Sequence, residues 1–165
     1  MKTVALFLSI ALLSATRLFS QKEKYEEKYN VVPHYDVFIN QVPMASKKAV
    51  VIKRFGKPDK IKKVISMDEY WFDYHYKRST LQIDPVGDFM GFNIVDTSFI
   101  ITYKSTQIRI GDSSNILKKL FPKSYKEYTT TKDDLRLRFE DNDSYIIFTI
   151  KNGIITQVHT WEDNS

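Results

Sequence analysis

Cysteine is absent from all 165 residues. Its absence excludes disulfides, thiolate metal sites, cysteine nucleophiles and the acylated cysteine that follows the signal of a bacterial lipoprotein. Also missing, beyond the first twenty positions, is any apolar run approaching the ~20 residues that a membrane-spanning helix needs. Neither GxGxxG nor GxxxxGK[ST] occurs, so a glycine-rich phosphate cradle has no support. There is no GxSxG elbow and no SxxK. The three histidines, His34, His75 and His159, stand apart, with no HxH, HxxxH or HExxH spacing, whereas zinc takes three or four ligands. Asp133, Asp134, Glu140, Asp141 and Asp143 cluster around turns, but EDNDS lacks the glycine and the closing glutamate of a calcium loop. We expect no bound cofactor, no metal and no catalytic residue of a standard type. A strong charge of one sign is lacking too. The formal charge is +5, and the basic residues are interleaved with acids, which argues against nucleic acid as a partner. FGKPDK does place Lys57 and Lys60 near a helix end, but a C-terminal end, whose partial negative charge suits lysine and repels phosphate.

What is present begins with an export signal over residues 1–20. Lys2 forms the basic start, Val4 to Leu13 the apolar run and Ser20 the small residue before Gln21. Cleavage after Ala15 is the alternative, because Leu18 occupies a position that favours a small side chain. This places the protein in the periplasm or outside the cell. Cleavage at Ser20 leaves 145 of the 165 residues, carrying 23 basic and 20 acidic groups. That length suits one domain with a core of its own. Residues 21–34 read as a polar leader, since Glu23/Glu27 and Lys24/Lys28 are like-charge pairs at helical spacing, although Tyr25 and Tyr29 offer it a means of docking. The domain proper is expected over 35–165, starting with a short or edge strand at Tyr35 to Ile39 between Pro33 and Pro43.

Within it one pattern occurs twice. Gln41 to Lys57, QVPMASKKAVVIKRFGK, returns at an offset of 66 as Gln107 to Lys123, QIRIGDSSNILKKLFPK. Each copy reads as a helix. The first is capped by Ser46, carries a stripe of Val50, Val51 and Phe55, and stops at Gly56 before Pro58. The second is capped by Asp112 or Ser113, carries Ile116, Leu117, Leu120 and Phe121, and stops at Pro122. At an offset of 65 the match continues from Asp68/Asp133 through Phe72/Leu137 to Ile83/Phe148, alternating as half-buried strands do. Asn152-Gly153 predicts a type I′ hairpin before the last strand, Ile154 to Trp161. The expected fold is α+β: two helix-plus-meander units, about 41–106 and 107–161, forming one antiparallel sheet with helices on one face. Asp84 to Thr97 reads as an insertion in the first unit, a glycine-containing apolar loop that is either folded onto the core or a binding edge.

A helix ending in FGKP and followed by the aromatic strand YWFDYHY resembles the tandem unit of the β-lactamase-inhibitor-protein-like fold. That fold is shared with small lipoproteins of the outer-membrane barrel assembly machinery. The resemblance covers Gln41 to Trp161 and implies an architecture together with protein binding in general. The chain departs from the lipoproteins in having no acylated cysteine and from the inhibitors in having no cysteine at all. Fold likeness carries no specific activity.

The remaining candidate site comes from the aromatic content of 11 Phe, 10 Tyr and 2 Trp. On Tyr70 to Tyr76 one face, Tyr70, Phe72, Tyr74 and Tyr76, matches core positions of the second unit. The other carries Trp71, Asp73 and His75. Trp71, Asp73, His75 and Trp161 are therefore the expected partner-binding residues, on the sheet face that helices leave uncovered. The expected function is an exported, non-catalytic protein-binding or envelope-associated module. Its rival is a hydrolase-type enzyme using His75, His159 and an acid, which requires the two histidine strands to be neighbours.

Overall fold

In the computed structural model, which describes residues 28–66, 69–140 and 144–162, the alternating stretches become strands and the turns between them fix their pairing. The expected export signal over residues 1–20, Gln21 to Glu27 of the expected leader, and Asp68, Asp141 and Asp143 lie outside the described residues. Strands β4 (Lys60–Ser66), β5 (Glu69–Tyr76), β6 (Ser79–Ile83) and β7 (Phe89–Ile94) form a meander, and β10 (Leu135–Phe139), β11 (Ser144–Lys151) and β12 (Ile154–Glu162) form another. They join through β7 and β12. With β1 (Asn30–Val32) they make an eight-stranded sheet of order β1-β10-β11-β12-β7-β6-β5-β4. Among the described strands only β1 runs parallel to its neighbour. The β11–β12 turn is the one expected: Asn152 and Gly153 have φ of 53° and 75°, both in the left-handed region that a type I′ turn demands.

One sheet was expected, and there are two. Strands β2 (Val37–Ile39), β3 (Val42–Pro43), β8 (Ile101–Tyr103) and β9 (Thr106–Ile108) form a separate four-stranded sheet of order β3-β2-β8-β9. Its two hairpins turn on Asn40-Gln41 (φ 47° and 72°) and Lys104-Ser105 (φ 44° and 65°). Strands of two or three residues closed so tightly cannot extend into the large sheet. They pack instead against its inner face, where Ile39, Val42, Ile101 and Ile108 join Tyr74, Leu81, Phe92, Ile146 and Phe148 in one buried cluster.

The helices lie on the same side. Helix α1 (Lys48–Phe55) buries Val51 and ends at Gly56, whose φ of 79° and N–H bond of 2.8 Å to Ile52 O make the left-handed stop. Its start differs from expectation. Lys47 takes the cap position with no side-chain bond, because Ser46 is drawn into backbone bonding with Phe89. Val50 turns outward, 46% exposed. The second helical stretch is longer than expected. Helix α2 (Asn115–Leu120) starts behind Ser114, and the chain breaks at Phe121 (φ −133°). Pro122 does not end the helical region but opens α3 (Pro122–Thr131) as its first residue, where its missing N–H costs nothing. Asp112 serves the preceding turn, accepting the Arg109 N–H at 2.7 Å.

Two further expectations change. Of the two readings of Asp84 to Thr97 the core one applies, but through a strand, β7, over Phe89–Ile94 rather than a folded-back loop: Phe89, Phe92 and Ile94 are buried, and Val86 at the preceding turn stands far out at 75%. That turn is pinned to the start of α1 by Lys48 N–H to Gly87 O at 2.7 Å and by the Lys47–Asp88 ion pair. The end of the leader is also structural. Val32 is fully buried in β1, and Asn30 caps α3, its Oδ1 accepting the N–H groups of Lys123 and Ser124 at 3.0 and 3.1 Å. In return Ser124 Oγ accepts the Asn30 N–H at 2.8 Å.

Candidate functional site

Because helices and small sheet share one side, the opposite face of the large sheet is where odd-numbered positions of β5 and, beyond the bulge that keeps Ile155 in the core, of β12 from Gln157 onward emerge. The pairing register orders this outer face into rows. One row runs Lys60, His75, Thr80, Asn93, His159, Ile147, Arg136 across β4, β5, β6, β7, β12, β11 and β10. The next runs Lys62, Asp73, Gln82, Gly91. Gly91 has no side chain because the space is taken: a Cβ there would collide with Gln82 Oε1 and Thr160 Oγ1. Thr160 Oγ1 accepts the Phe92 N–H at 2.9 Å, substituting for a ladder bond where β12 parts from β7.

Three of the four expected binding residues lie together. Trp71, Asp73 and His75 are successive outer-face positions of β5, all half-buried. Trp71 Nε1 donates to Asp73 Oδ1 at 2.9 Å, so indole and carboxylate act as one unit. His75 Nδ1 lies 3.3 Å from Thr80 Oγ1, while its Nε2 is buried and has no hydrogen-bond partner among the described residues. Trp161 belongs to a different group. It is 44% exposed, and its ring packs 6.0 Å from Tyr145, which meets Tyr29 edge-on at 6.1 Å.

His75 and His159 do not meet. Two strands separate β5 from β12, and three strand spacings amount to about 14 Å. An acid–base pair of these histidines is therefore not assembled. His159 stays neutral more readily than an ordinary histidine, since burial lowers its pKa and the charge of Asp134 only partly opposes this. Its Nδ1 too is buried without a partner among the described residues. Among those residues no group of three or more His, Asp or Glu side chains is placed to hold a metal ion, and no helix is long and apolar enough to cross a membrane.

Outer-face residues that periodicity did not single out complete the surface. Gln157 Nε2 donates to Asn93 Oδ1 at 2.8 Å between the histidines. Arg138, Tyr145 and Ile147 are buried even though they point outward, while Arg136 and Trp161 beside them are exposed, so the β10–β12 end of this face is covered only in part and the β4–β6 end is open. The continuous apolar run of β11, SYIIF, was the available signal, since a strand buried on both faces does not alternate. Comparison with known proteins returns no match, whether to a protein-family model, to a curated protein or to a solved structure.

Proposed function

We propose that this chain is an exported, non-catalytic module, periplasmic, secreted or envelope-associated, that binds another protein through the open end of the outer sheet face. The contact centres on Trp71, Asp73 and His75, with Trp161 at its far margin. The observation that carries this reading is the segregation of the layers: the helices and the small sheet all join the core on one side, and the other side presents half-exposed indole, carboxylate and imidazole groups in adjacent rows. Aromatic residues with polar handles are the usual anchors of such contacts. A hydrolase-type site has less support, because its two histidines stand two strands apart. The test is affinity capture from envelope extract, followed by remaking the captured protein and measuring its affinity directly. Trp71→Ala should weaken a true partner at least ~10-fold without changing thermal unfolding. Equal affinity of the variant would sink the proposal.

The finer architecture belongs to the same proposal: two copies of one hairpin–helix–meander unit. What supports it is how the sheets join. At the centre of the large sheet Asn93 pairs with His159, its own equivalent at an offset of 66. At the centre of the small sheet Phe38 pairs with Thr102, its counterpart when the hairpins are matched turn to turn, Asn40-Gln41 on Lys104-Ser105, a match that moves Gln41 from Gln107 to Ser105. Residues that pair with their own counterparts are what a local two-fold axis between copies produces. Val51/Leu117 at an offset of 66, and Ser79/Ser144 and Leu81/Ile146 at an offset of 65, are buried in both copies. The likeness to the β-lactamase-inhibitor-protein-like unit rests on this pattern alone.

A further inference from the structure

We propose that the free edge of β4 is a second binding site, which receives an extended acidic segment of a partner protein as an added strand. The proposal is independent of the outer-face reading.

Three observations meet at this edge. The first is length. The other edge strands, β1, β3 and β9, have three, two and three residues, whereas β4 has seven and ends the large sheet. Proteins ordinarily keep exposed edges short, since their unpaired N–H and C=O groups are a template for another strand. Here the chain between α1 and β5 forms a long strand, while the chain between α2 and β10 forms helix α3.

The second is the surface beside it. On the inner face Ile61 and Ile65 are 52% and 69% exposed. Ile61 borders a groove of about 260 Å³ floored by Phe72, Tyr74 and Ile83 and walled by Lys48 of α1. An added strand would present every second side chain to this apolar strip.

The third is charge. From Lys47 to Lys63 there are eight basic residues and one acid, Asp59, whose carboxylate already accepts the Lys77 N–H at 2.7 Å. Lys60, Lys62 and Lys63 are exposed, and none forms an ion pair among the described residues. Lys63 Nζ sits 3.8 Å over the Tyr70 ring. A second copy docking edge to edge would set these lysines against each other, a destabilising arrangement of like charges across strands. The same lysines that repel basic or identical edges select an acidic one. The occupant is therefore a segment alternating Asp or Glu, opposite Lys60 and Lys62, with Val, Ile or Leu, over the groove.

The test uses a capped peptide alternating Glu with Val and Ile, titrated into the isotope-labelled mature protein and followed by amide NMR. The expected result is shift changes along Lys60–Ser66, with affinity falling ~10-fold in Lys60→Glu/Lys62→Glu. Ile65→Ser, an exposed position that leaves the core intact, should also weaken binding, whereas Trp161→Ala should not. Equal binding by a peptide of the same charge interrupted by proline would overturn the proposal, because it would show attraction without strand addition. So would shifts confined to other surfaces, undiminished binding by the charge-reversed protein, no binding, or self-association of the protein in place of peptide binding.

Discussion

Replacing Asp96 should destabilise the fold by more than a surface charge would, and should do so in a pH-dependent way. Asp96 follows β7 and is nearly buried, beside the fully buried Ser79. Its Oδ2 accepts the Ser79 hydroxyl at 2.8 Å and the Arg78 N–H at 3.0 Å, and its Oδ1 accepts Arg78 Nε–H at 3.1 Å. Ser79 Oγ in turn accepts the N–H groups of Val95 and Asp96, both at 3.1 Å. The network ties the β5–β6 turn to the end of β7. In Asp96→Ala the Ser79 hydroxyl loses its acceptor inside the core, a cost of about 1–3 kcal/mol, and the Arg78 N–H adds roughly 1 kcal/mol. The ion pair itself contributes less than ~1 kcal/mol because the Arg78 side chain is largely in water. Together these give about 3 kcal/mol, or roughly 10 °C in melting temperature for a domain of this size. Arg78→Ala should cost no more than ~1 kcal/mol. Burial alone would raise the Asp96 pKa, but the hydrogen bonds from Ser79 and Arg78 outweigh it and hold the group below its ordinary 3.8. A carboxylate with a depressed folded pKa contributes stability that is present above the unfolded value and is lost as pH falls through the folded one. The gap between parent and Asp96→Ala should therefore narrow below pH 3.8. Urea unfolding near neutral pH and again in acid reads both quantities. A neutral-pH difference under ~0.5 kcal/mol, or a gap that stays constant in acid, would refute the assignment.

Two other predictions concern parts of the fold that depend on distant contacts. Asn30→Ala removes the cap of α3 and should cost about 1–2 kcal/mol. Hydrogen exchange should show the first turn of α3 and β1 losing protection together, and loss in only one of them would contradict the shared cap. Tyr76 has its pKa pushed up to about 12, by burial first and then by Tyr74 and Asp59. Because the unfolded tyrosine ionises near 10.0, stability is full below that pH and falls as pH rises from there towards 12. Tyr76→Phe should flatten this alkaline loss, and an unchanged alkaline slope would count against the assignment.

Periodicity revealed single strands here more readily than it revealed neighbours. The alternation of Tyr70 to Tyr76 placed Tyr74 and Tyr76 inside and Trp71, Asp73 and His75 on the opposite face, although Tyr70, expected in the core with them, is 39% exposed, and Asn152-Gly153 and Gly56 announced their turn and helix stop because each needs a left-handed backbone. The small-sheet hairpins gave no such signal. Asn40-Gln41 and Lys104-Ser105 hold positive φ without glycine, a local cost that the buried pairs around them must offset. Helix α3 was hidden for a related reason. PKSYKEYTTT is rich in threonine, a weak helix former, and its cap comes from Asn30, 93 residues before Lys123. Strand β7 looked like a loop because Gly91 reads as a breaker. Its glycine answers instead to Gln82 and Thr160 on the two neighbouring strands. The separation of His75 from His159 is the same kind of fact, since it follows from β6 and β7 lying between β5 and β12. What could be read from the sequence was thus whatever a residue and its near neighbours decide. Strand order decides the rest, and it also leaves β4, with its three lysines, as the one long edge without a partner strand among the described residues.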